Sequence, residues 1–353
     1  MFALLIAAAL AIIAAMIGEI TFRPSTRERN MKRIAIRSAA LAAAVLAAAS
    51  MAAAEPYKIR VGHGAAVEEQ LWLMKALPSV TPNQGKVYTL DYQLFRGTDQ
   101  RFKAVEAGEL DVFTSSGATS TIAYSQGLRF KAVASISMES SKGFVTQYVV
   151  LADSPIKTIA DLKGKILGNN SARSSIELWA QLALEKHGLN PDRDVTWAIV
   201  PFPAQGEALR SKKIDVAALP QPFAAAEMAK GGVRTLFTSK EGMPFDEELM
   251  LVLVTQDFAT KRADILRAFM ADFLAATKHY VAHPKESRKA ILDAKIIRVP
   301  EELYLNMTDN YRNPTARIDI EALKKAQEAT IAKGQQKTRV DPAAFVDLSF
   351  LPK

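Results

Sequence analysis

The stretch Ala104-Val105-Glu106-Ala107-Gly108-Glu109-Leu110-Asp111-Val112 returns later in the chain, matched at its apolar sites, as Ala208-Leu209-Arg210-Ser211-Lys212-Lys213-Ile214-Asp215-Val216. Each copy reads as a helix end, a turn, and a strand that begins at the aspartate. A second echo precedes the first. Residues 57–61 alternate and are β-rich, Gly62-His63-Gly64 breaks them, and a helical spacing of apolar residues follows over 67–77. The same order recurs at 165–167, at Gly168-Asn169-Asn170-Ser171, and in a helix over 174–187 closed by Gly188. Both helices carry a Leu-Trp pair, Leu71-Trp72 and Leu178-Trp179. The two echoes have nearly the same offset, so the chain holds two tandem copies of one α/β unit. The repeat is the size of a domain, not of a solenoid turn.

Strands alternating with amphipathic helices imply mostly parallel sheets, and such sheets bind ligands outside the carboxyl ends of their strands. Four loops then qualify: 62–66 and 115–117 from the first unit, 169–173 and 219–222 from the second. If the units face each other, these loops line one cleft. The expected fold is therefore α/β and two-lobed, each lobe a mostly parallel sheet flanked by helices. Helical patterns at 262–281 and 319–332 would complete the layers of the first lobe. The chain should cross between lobes twice, near 147–150 and near 238–253, giving a first lobe of 55–147 with 246–353 and a second of 148–245.

The 353 residues are 49% apolar, enough for a large core in two units. The formal charge of +8 is inflated by residues 1–54, which carry six Lys/Arg against two acidic residues. The rest has a mild basic excess, with no basic run interleaved with aromatics, which argues against nucleic acid as a partner. Cysteine is absent, which excludes disulfides, thiolate metal sites, a cysteine nucleophile and a lipid-modified N-terminal Cys. From Met31 the chain reads Lys32-Arg33, an apolar stretch over 38–49, then Ala52-Ala53-Ala54 before Glu55-Pro56, which is the pattern of an export signal. A second apolar block over 1–20 lies upstream. We read residues 1–54 as an N-terminal extension plus signal peptide, with translation starting at Met31 and cleavage after Ala54; the alternative is a membrane anchor ahead of a second hydrophobic segment.

Ser115, Ser116 and Gly117 precede a helix from about Thr119, and Asn170 and Ser171 precede another. Hydroxyls and free N–H groups at helix starts suit an anion, or cap the helix and nothing more. Arg173 adds a fixed positive charge at the same helix start, a position unfavourable against the helix dipole unless an anion lies nearby. His63 either donates to a ligand oxygen or caps its own turn, while Trp72 reads as core. His279 and His283 share a helix face, but Pro284 follows and no H-E-x-x-H pattern occurs, so they read as surface residues and no metal is expected. Gly62-x-Gly64-x-x-Val67 lacks the third glycine of the dinucleotide fingerprint, and no cofactor is implied. No G-x-S-x-G elbow, P-loop or paired-carboxylate pattern is present.

Several stretches resemble the solute-binding proteins for aliphatic sulfonates, taurine and nitrate, a family that also holds pyrimidine-precursor binders and related synthases. The resemblance rests on the turn from Ala107 to Asp111, on Asp153-Ser154-Pro155-Ile156 leading to Asp161-Leu162-Lys163-Gly164-Lys165, on Ile214-Asp215-Val216 leading to Pro222-Phe223, and on the ending Val346-Asp347-Leu348-Ser349-Phe350-Leu351. It implies a type II periplasmic binding fold, a ligand held between lobes, and delivery to ABC permease subunits driven by a cytoplasmic ATPase. The implied product is a soluble, periplasmic, monomeric binding protein with no lipid anchor and no enzymatic activity. Family contacts fall on His63, Gly64, Ala65, Ser115, Ser116, Gly117, Asn170, Ser171, Arg173, Pro220 and Gln221. Two departures, Pro220-Gln221 where relatives place Trp and an acidic residue, and Asn169-Asn170-Ser171 in place of a Gly-Ser pair, bar transfer of sulfonate, taurine or nitrate specificity. Two alternatives remain: a sensory module without transport, and a pyrimidine-precursor synthase-like enzyme, which would need the cysteine-rich motif this chain lacks. The exported protein, isolated and sequenced from its N-terminus, should begin at Glu55; a start at Met1 or Met31 would refute the signal assignment.

Overall fold

The computed structural model describes residues 55–353; Met1–Ala54, with both apolar segments of the export reading, lies outside the described residues. Glu55–Lys353 forms one compact unit. It opens with β1 (Tyr57–His63), α1 (Glu69–Ala76), β2 (Tyr88–Leu94), α2 (Thr98–Glu106), β3 (Val112–Ser115), α3 (Gly117–Ser125) and β4 (Phe130–Glu139). A second run follows as β5 (Gln147–Leu151), β6 (Lys165–Asn169), α4 (Ser175–Lys186), β7 (Val195–Ile199), α5 (Phe202–Arg210), β8 (Ala217–Leu219), α6 (Phe223–Lys230), β9 (Val233–Thr238) and α7 (Ser239–Gly242). The chain then forms β10 (Glu247–Thr255), α8 (Gln256–Lys261), α9 (Ala263–Ala282), α10 (Pro284–Asp293), α11 (Glu301–Asn306) and α12 (Ile320–Ala332). Among the described residues no helix is long and apolar enough to cross a membrane.

The first sheet has the order β2-β1-β3-β10-β4, with β2, β1 and β3 parallel and β10 antiparallel to both neighbours. In the second, β8-β5-β9 joins β6-β7 through a parallel bridge between Leu167 and Val216, with the Gly168 N–H donating to the Val216 carbonyl at 2.8 Å. Its order is thus β7-β6-β8-β5-β9, again with a parallel trio and an antiparallel insert, β5. The two sheets repeat each other strand for strand, as the tandem echo requires. Each is more mixed than expected, because the strand beside β3 or β8 enters from the opposite direction.

The repeated nonapeptide explains itself in atoms. Asp111 Oδ2 accepts from the Arg60 backbone N–H at 2.9 Å, and Asp215 Oδ2 accepts from the Ile166 N–H at 2.8 Å. Each aspartate therefore ties the start of the third strand of its unit to the first. The turn before it needs a left-handed residue, supplied by Gly108 (φ 73°) in one copy and by Lys212 (φ 57°) in the other. Glycine takes that conformation without steric cost and lysine does not.

The first crossing precedes its expected span, and the second occupies only the early part of its own. Residues 147–150 already belong to β5, and 247–253 to β10, so the connections are 140–146 and 239–246. Residues 249–254 are a continuous apolar run because β10 is buried on both faces. Val252 and Val254 join Ile59, Val61 and Phe269 on one side, while Leu251 and Leu253 join Phe113, Phe130 and Phe345 on the other. In the second sheet Val150 and Val216 pack with Trp179 and Val149 with Ala217. The Leu-Trp pairs are core in both copies.

The tail is locked to α1 by buried charge. The Arg312 guanidinium pairs with Glu69 and, at 3.0 Å, with Asp309, which also pairs with Arg288 at 2.9 Å. This network fixes the helix that follows the first cleft loop. Gly108→Ala should lower the unfolding free energy by about 1–2 kcal/mol in urea titrations, the cost of a Cβ in the left-handed region; Lys212→Gly should not lower it. A tolerated Gly108→Ala would refute the equivalence of the two turns.

Candidate functional site

The carboxyl ends of β1, β2, β3, β6, β7 and β8 converge on a cavity of about 510 Å3 between the two sheets. The lobes touch across it. Ser175 Oγ lies 2.9 Å from Ser116 Oγ, and Thr119 Oγ1 lies 3.4 Å from the Arg173 carbonyl. Ser116 caps α3, accepting from the Thr119 N–H at 3.3 Å, and Ser174 caps α4, accepting from Glu177 N–H at 3.3 Å. The residues preceding α1 and α4 at equivalent places, Val67 and Arg173, are both left-handed, at φ 60° and 58°. For a β-branched residue this is a strained conformation, and Val67 adopts it against the cavity wall.

Of the residues expected to contact ligand, Gly64, Ala65, Ser116, Asn170 and Pro220 line the cavity, whereas His63, Ser115, Gly117, Ser171, Arg173 and Gln221 do not. His63 is buried behind its loop, with Nδ1 2.8 Å from the Gly64 carbonyl and 3.2 Å from the Trp72 indole nitrogen, and burial pushes its pKa down to about 4, so the ring is neutral. Ser115 ends β3 with its side chain buried, and a Cβ on Gly117 would collide with Leu323 at 2.5 Å, so both face inward to the sheet and α12. Ser171 is buried, its carbonyl accepting from Asn169 Nδ2 at 2.6 Å. Arg173 is exposed; its left-handed backbone places its N–H on Glu177 Oε2 at 3.1 Å and carries its side chain off the cavity lining. Gln221 turns away to hold the tail, donating to the Thr308 carbonyl at 3.0 Å and accepting from the Ala225 N–H at 3.2 Å. His279 and His283 sit together at the end of α9, rings 5.0 Å apart, and neither lines the cavity. Among the described residues no group of three His, Cys, Asp or Glu could hold a metal ion.

The charged groups of the cavity were not foreseen. Arg101, from α2, is 4% exposed. Its Nη1 donates to the Thr114 carbonyl at 2.6 Å and to the Thr114 hydroxyl, and stands 3.5 Å from Glu68 Oε1. Glu68 Oε1 in turn accepts from Thr114 Oγ1 at 2.8 Å and from the Gly64 N–H at 2.9 Å. Burial shifts both partners towards their neutral forms, Glu68 up and Arg101 down, so desolvation outweighs their mutual attraction. Arginine keeps its proton in proteins, so the strain rests on the carboxyl. Arg101 Nη2 has no hydrogen-bond partner among the described residues and lies 3.2 Å from where a Cβ on Gly64 would stand. Glycine at 64 is what lets the guanidinium reach the wall. Arg96, exposed at the rim, lines the same cavity without an ion pair among the described residues, and Asn170 Oδ1 is buried there unbonded.

Chemically the cavity offers hydroxyl and amide groups from Ser116, Thr119, Asn170 and Ser174 together with the positive charge of Arg96 and Arg101. Its geometry is that of a binding site. A family model, NMT1/THI5 like, matches residues 89–287, which is more than half of the chain. The chain belongs to the NMT1/THI5-like family. A protein of Escherichia coli (strain K12) whose name assigns it aliphatic-sulfonate binding is 26% identical over 245 residues, 69% of this chain and 71% of that protein. Among solved structures, the alkanesulfonate-binding protein SsuA of Xanthomonas axonopodis pv. citri bound to MOPS matches with a TM-score of 0.67 and 21% identity, covering 84% of this chain and 99% of that one. The periplasmic aliphatic sulphonate binding protein SsuA of Escherichia coli matches with a TM-score of 0.65 and 19% identity over 84% and 94% of the respective chains. This member of the NMT1/THI5-like family has the two-lobed fold of the type II periplasmic binding proteins, as the sequence resemblance implied.

Behind the cavity, the start of β10 buries two carboxyls. Glu247 accepts from Ser175 Oγ at 2.9 Å and from the Trp179 indole; Glu248 accepts from Ser135 Oγ at 2.6 Å and the Asp319 N–H at 2.7 Å. Burial pushes Glu247 up to about 7 and Glu248 up to about 8, from 4.5. Between the unfolded and folded values the folded state binds more protons, so these groups lower stability progressively as pH rises from 4.5 towards 8, and the loss is complete above that. Glu247→Gln keeps an acceptor for Trp179 and removes the titration; calorimetric Tm should rise relative to the parent at pH 8 and match it at pH 4.5. An equal effect at both pH values would refute the assignment.

Proposed function

We propose that this protein is the extracytoplasmic solute-binding subunit of an ABC importer, capturing a small organic anion of the sulfonate, nitrate or carboxylate type between its lobes and delivering it to the permease. The observation that carries this reading is Arg101: one guanidinium nitrogen is anchored on Thr114 beside Glu68, leaving Nη2 at the wall of a cavity built from both sheets. The fold, the export pattern at 31–54 and the sulfonate-binding names of its relatives support the rest.

The proposed mechanism is lobe closure. The first lobe, 55–147 with 246–353, supplies Gly64, Arg101 and Ser116; the second, 148–245, supplies Asn170, Ser174 and Ser175. Ligand contacts on both faces exist together only when the lobes meet, so ligand shifts the population towards the closed form, which the permease subunits recognise. The two connections, 140–146 and 239–246, are the hinge. At the hinge Glu139 accepts from Thr146 and Ser239, and Lys240 Nζ donates to the carbonyls of Glu139 and Phe245 at 2.7 Å. The protein acts as an exported monomer and needs no cofactor.

Titration with a panel of organic sulfonates, carboxylates and nitrate should raise Tm by mass action on the folded state. The variant Arg101→Gln, made together with Glu68→Gln so that no buried charge is stranded, should weaken binding by more than tenfold while keeping a cooperative apo transition. Binding unchanged in that pair, or no anion binding by the parent, would reject the proposal.

A further inference from the structure

We propose that the solute is a monoanion carrying a flat apolar body, an arenecarboxylate or arenesulfonate, and not a short hydrophilic anion such as nitrate or taurine. This rests on the reading of the cavity as an anion site and specifies what else the anion must carry.

Size gives the first argument. A space of about 510 Å3 falls in the range of pockets that enclose whole organic molecules, and a three- or four-atom ion on Arg101 would leave most of it as water against apolar walls. The walls give the second. Phe95 from the end of β2 and Phe202 at the start of α5 belong to opposite sheets and both line the cavity. Each ring is held in place. Phe95 packs where Gly62 lacks a side chain, 3.2 Å from the position of its Cβ, and Phe202 stacks on Phe223 with centroids 6.0 Å apart and planes at 25°. Pre-set aromatic surfaces favour a flat partner, because no side-chain freedom is lost when it enters.

A third observation concerns the ends of the outer strands. Leu94, which lines the cavity, is 61% exposed, and Ile199, two residues before the lining residue Pro201, is 59% exposed; they are the last residues of β2 and β7, equivalent strands of the two sheets. Large apolar side chains left in water at the same place in both lobes mark a surface that gains from being covered. An apolar body spanning the lobes would be buried from both sides, so the hydrophobic effect itself would favour closure.

Charge sets the remaining limit. Glu68 is the one carboxylate of the lining; Arg101, Thr114 and the Gly64 N–H all engage its Oε1, and its Oε2 is buried out of reach of the surface, so a zwitterion such as taurine would have to bring its ammonium group to a carboxylate already facing Arg101. With Glu68 opposite Arg101, Arg96 is the one remaining positive side chain of the lining, which balances a single negative charge.

The test is calorimetric titration of the exported protein with benzoate, benzenesulfonate and their naphthalene analogues, against acetate, methanesulfonate, taurine, nitrate and neutral benzamide. The expected result is at least tenfold tighter binding of one arene anion series than of any short anion, and tighter binding of that anion than of benzamide; the carboxylate and sulfonate arms identify the head group. Phe202→Leu and Phe95→Leu, which keep apolar bulk and lose the flat face, should each weaken the arene anion several-fold while leaving apo Tm within a few degrees. A short anion that binds as tightly as the arenes would overturn this inference and leave the importer reading intact. Benzamide binding as tightly as benzoate would overturn the anion requirement, and failure of every anion to bind would overturn both.

Discussion

The site depends on one topological constraint: in each sheet a parallel trio of strands must end at the same edge, facing the other sheet. The constraint is met by two antiparallel strands. β5 lies between β8 and β9, and β10 lies between β3 and β4, each entering its sheet directly from a crossing. A strand arriving from the cleft side can only run against the trio, and by doing so it fixes the trio's carboxyl ends towards the cleft. The loops gathered there carry unsatisfied N–H groups at helix starts, which is why such edges collect polar ligands. Leu251 and Leu253 pack on one face and Val252 and Val254 on the other, all fully buried, so this inserted strand also lies within the core.

The electrostatics of the cavity follow from the same packing. A guanidinium as buried as Arg101 needs a counter-charge, and Glu68 supplies it at 3.5 Å, a distance too long for a strong ion pair. The pair is steadied by Thr114 and the Gly64 N–H, yet Glu68 Oε2 and Arg101 Nε remain buried without partners. Such a pair gives little stability for its desolvation cost. Its value lies in holding a positive charge at the wall without flexibility, so that little ordering remains when a ligand arrives. Val67, strained beside it, belongs to the same pattern of local cost at a working surface.

Much of this was legible in the sequence because it is local and repeated. The nonapeptide echo carries a turn and an aspartate whose roles, a left-handed residue and a tie to the first strand, are identical in the two units, so the duplication survived as residue types. Ser116 and Asn170 were legible because they follow strands and precede helices. Arg101 was not, since it lies within α2, where an arginine ordinarily faces water; only its i+3 and i+4 neighbours Ala104 and Val105, on the buried face, hinted otherwise. Arg173 was misplaced because its charge was read and its φ could not be. Phe95 and Phe202 escaped because β2 and β7 were not recognised, and Gln221 because its partner, the Thr308 carbonyl, is far away in sequence.

The exchange of β10 also dictates an order of events for a chain that emerges from its N-terminus. The second sheet is assembled entirely from residues 147–238, a continuous stretch, and can zip up as soon as that stretch is available. The first sheet must wait with a gap at its centre, β3 and β4 lacking the strand that joins them, until residues 247–255 have been delivered. The half that is made first is therefore the half that matures last, and until then its two apolar faces stay open to premature association.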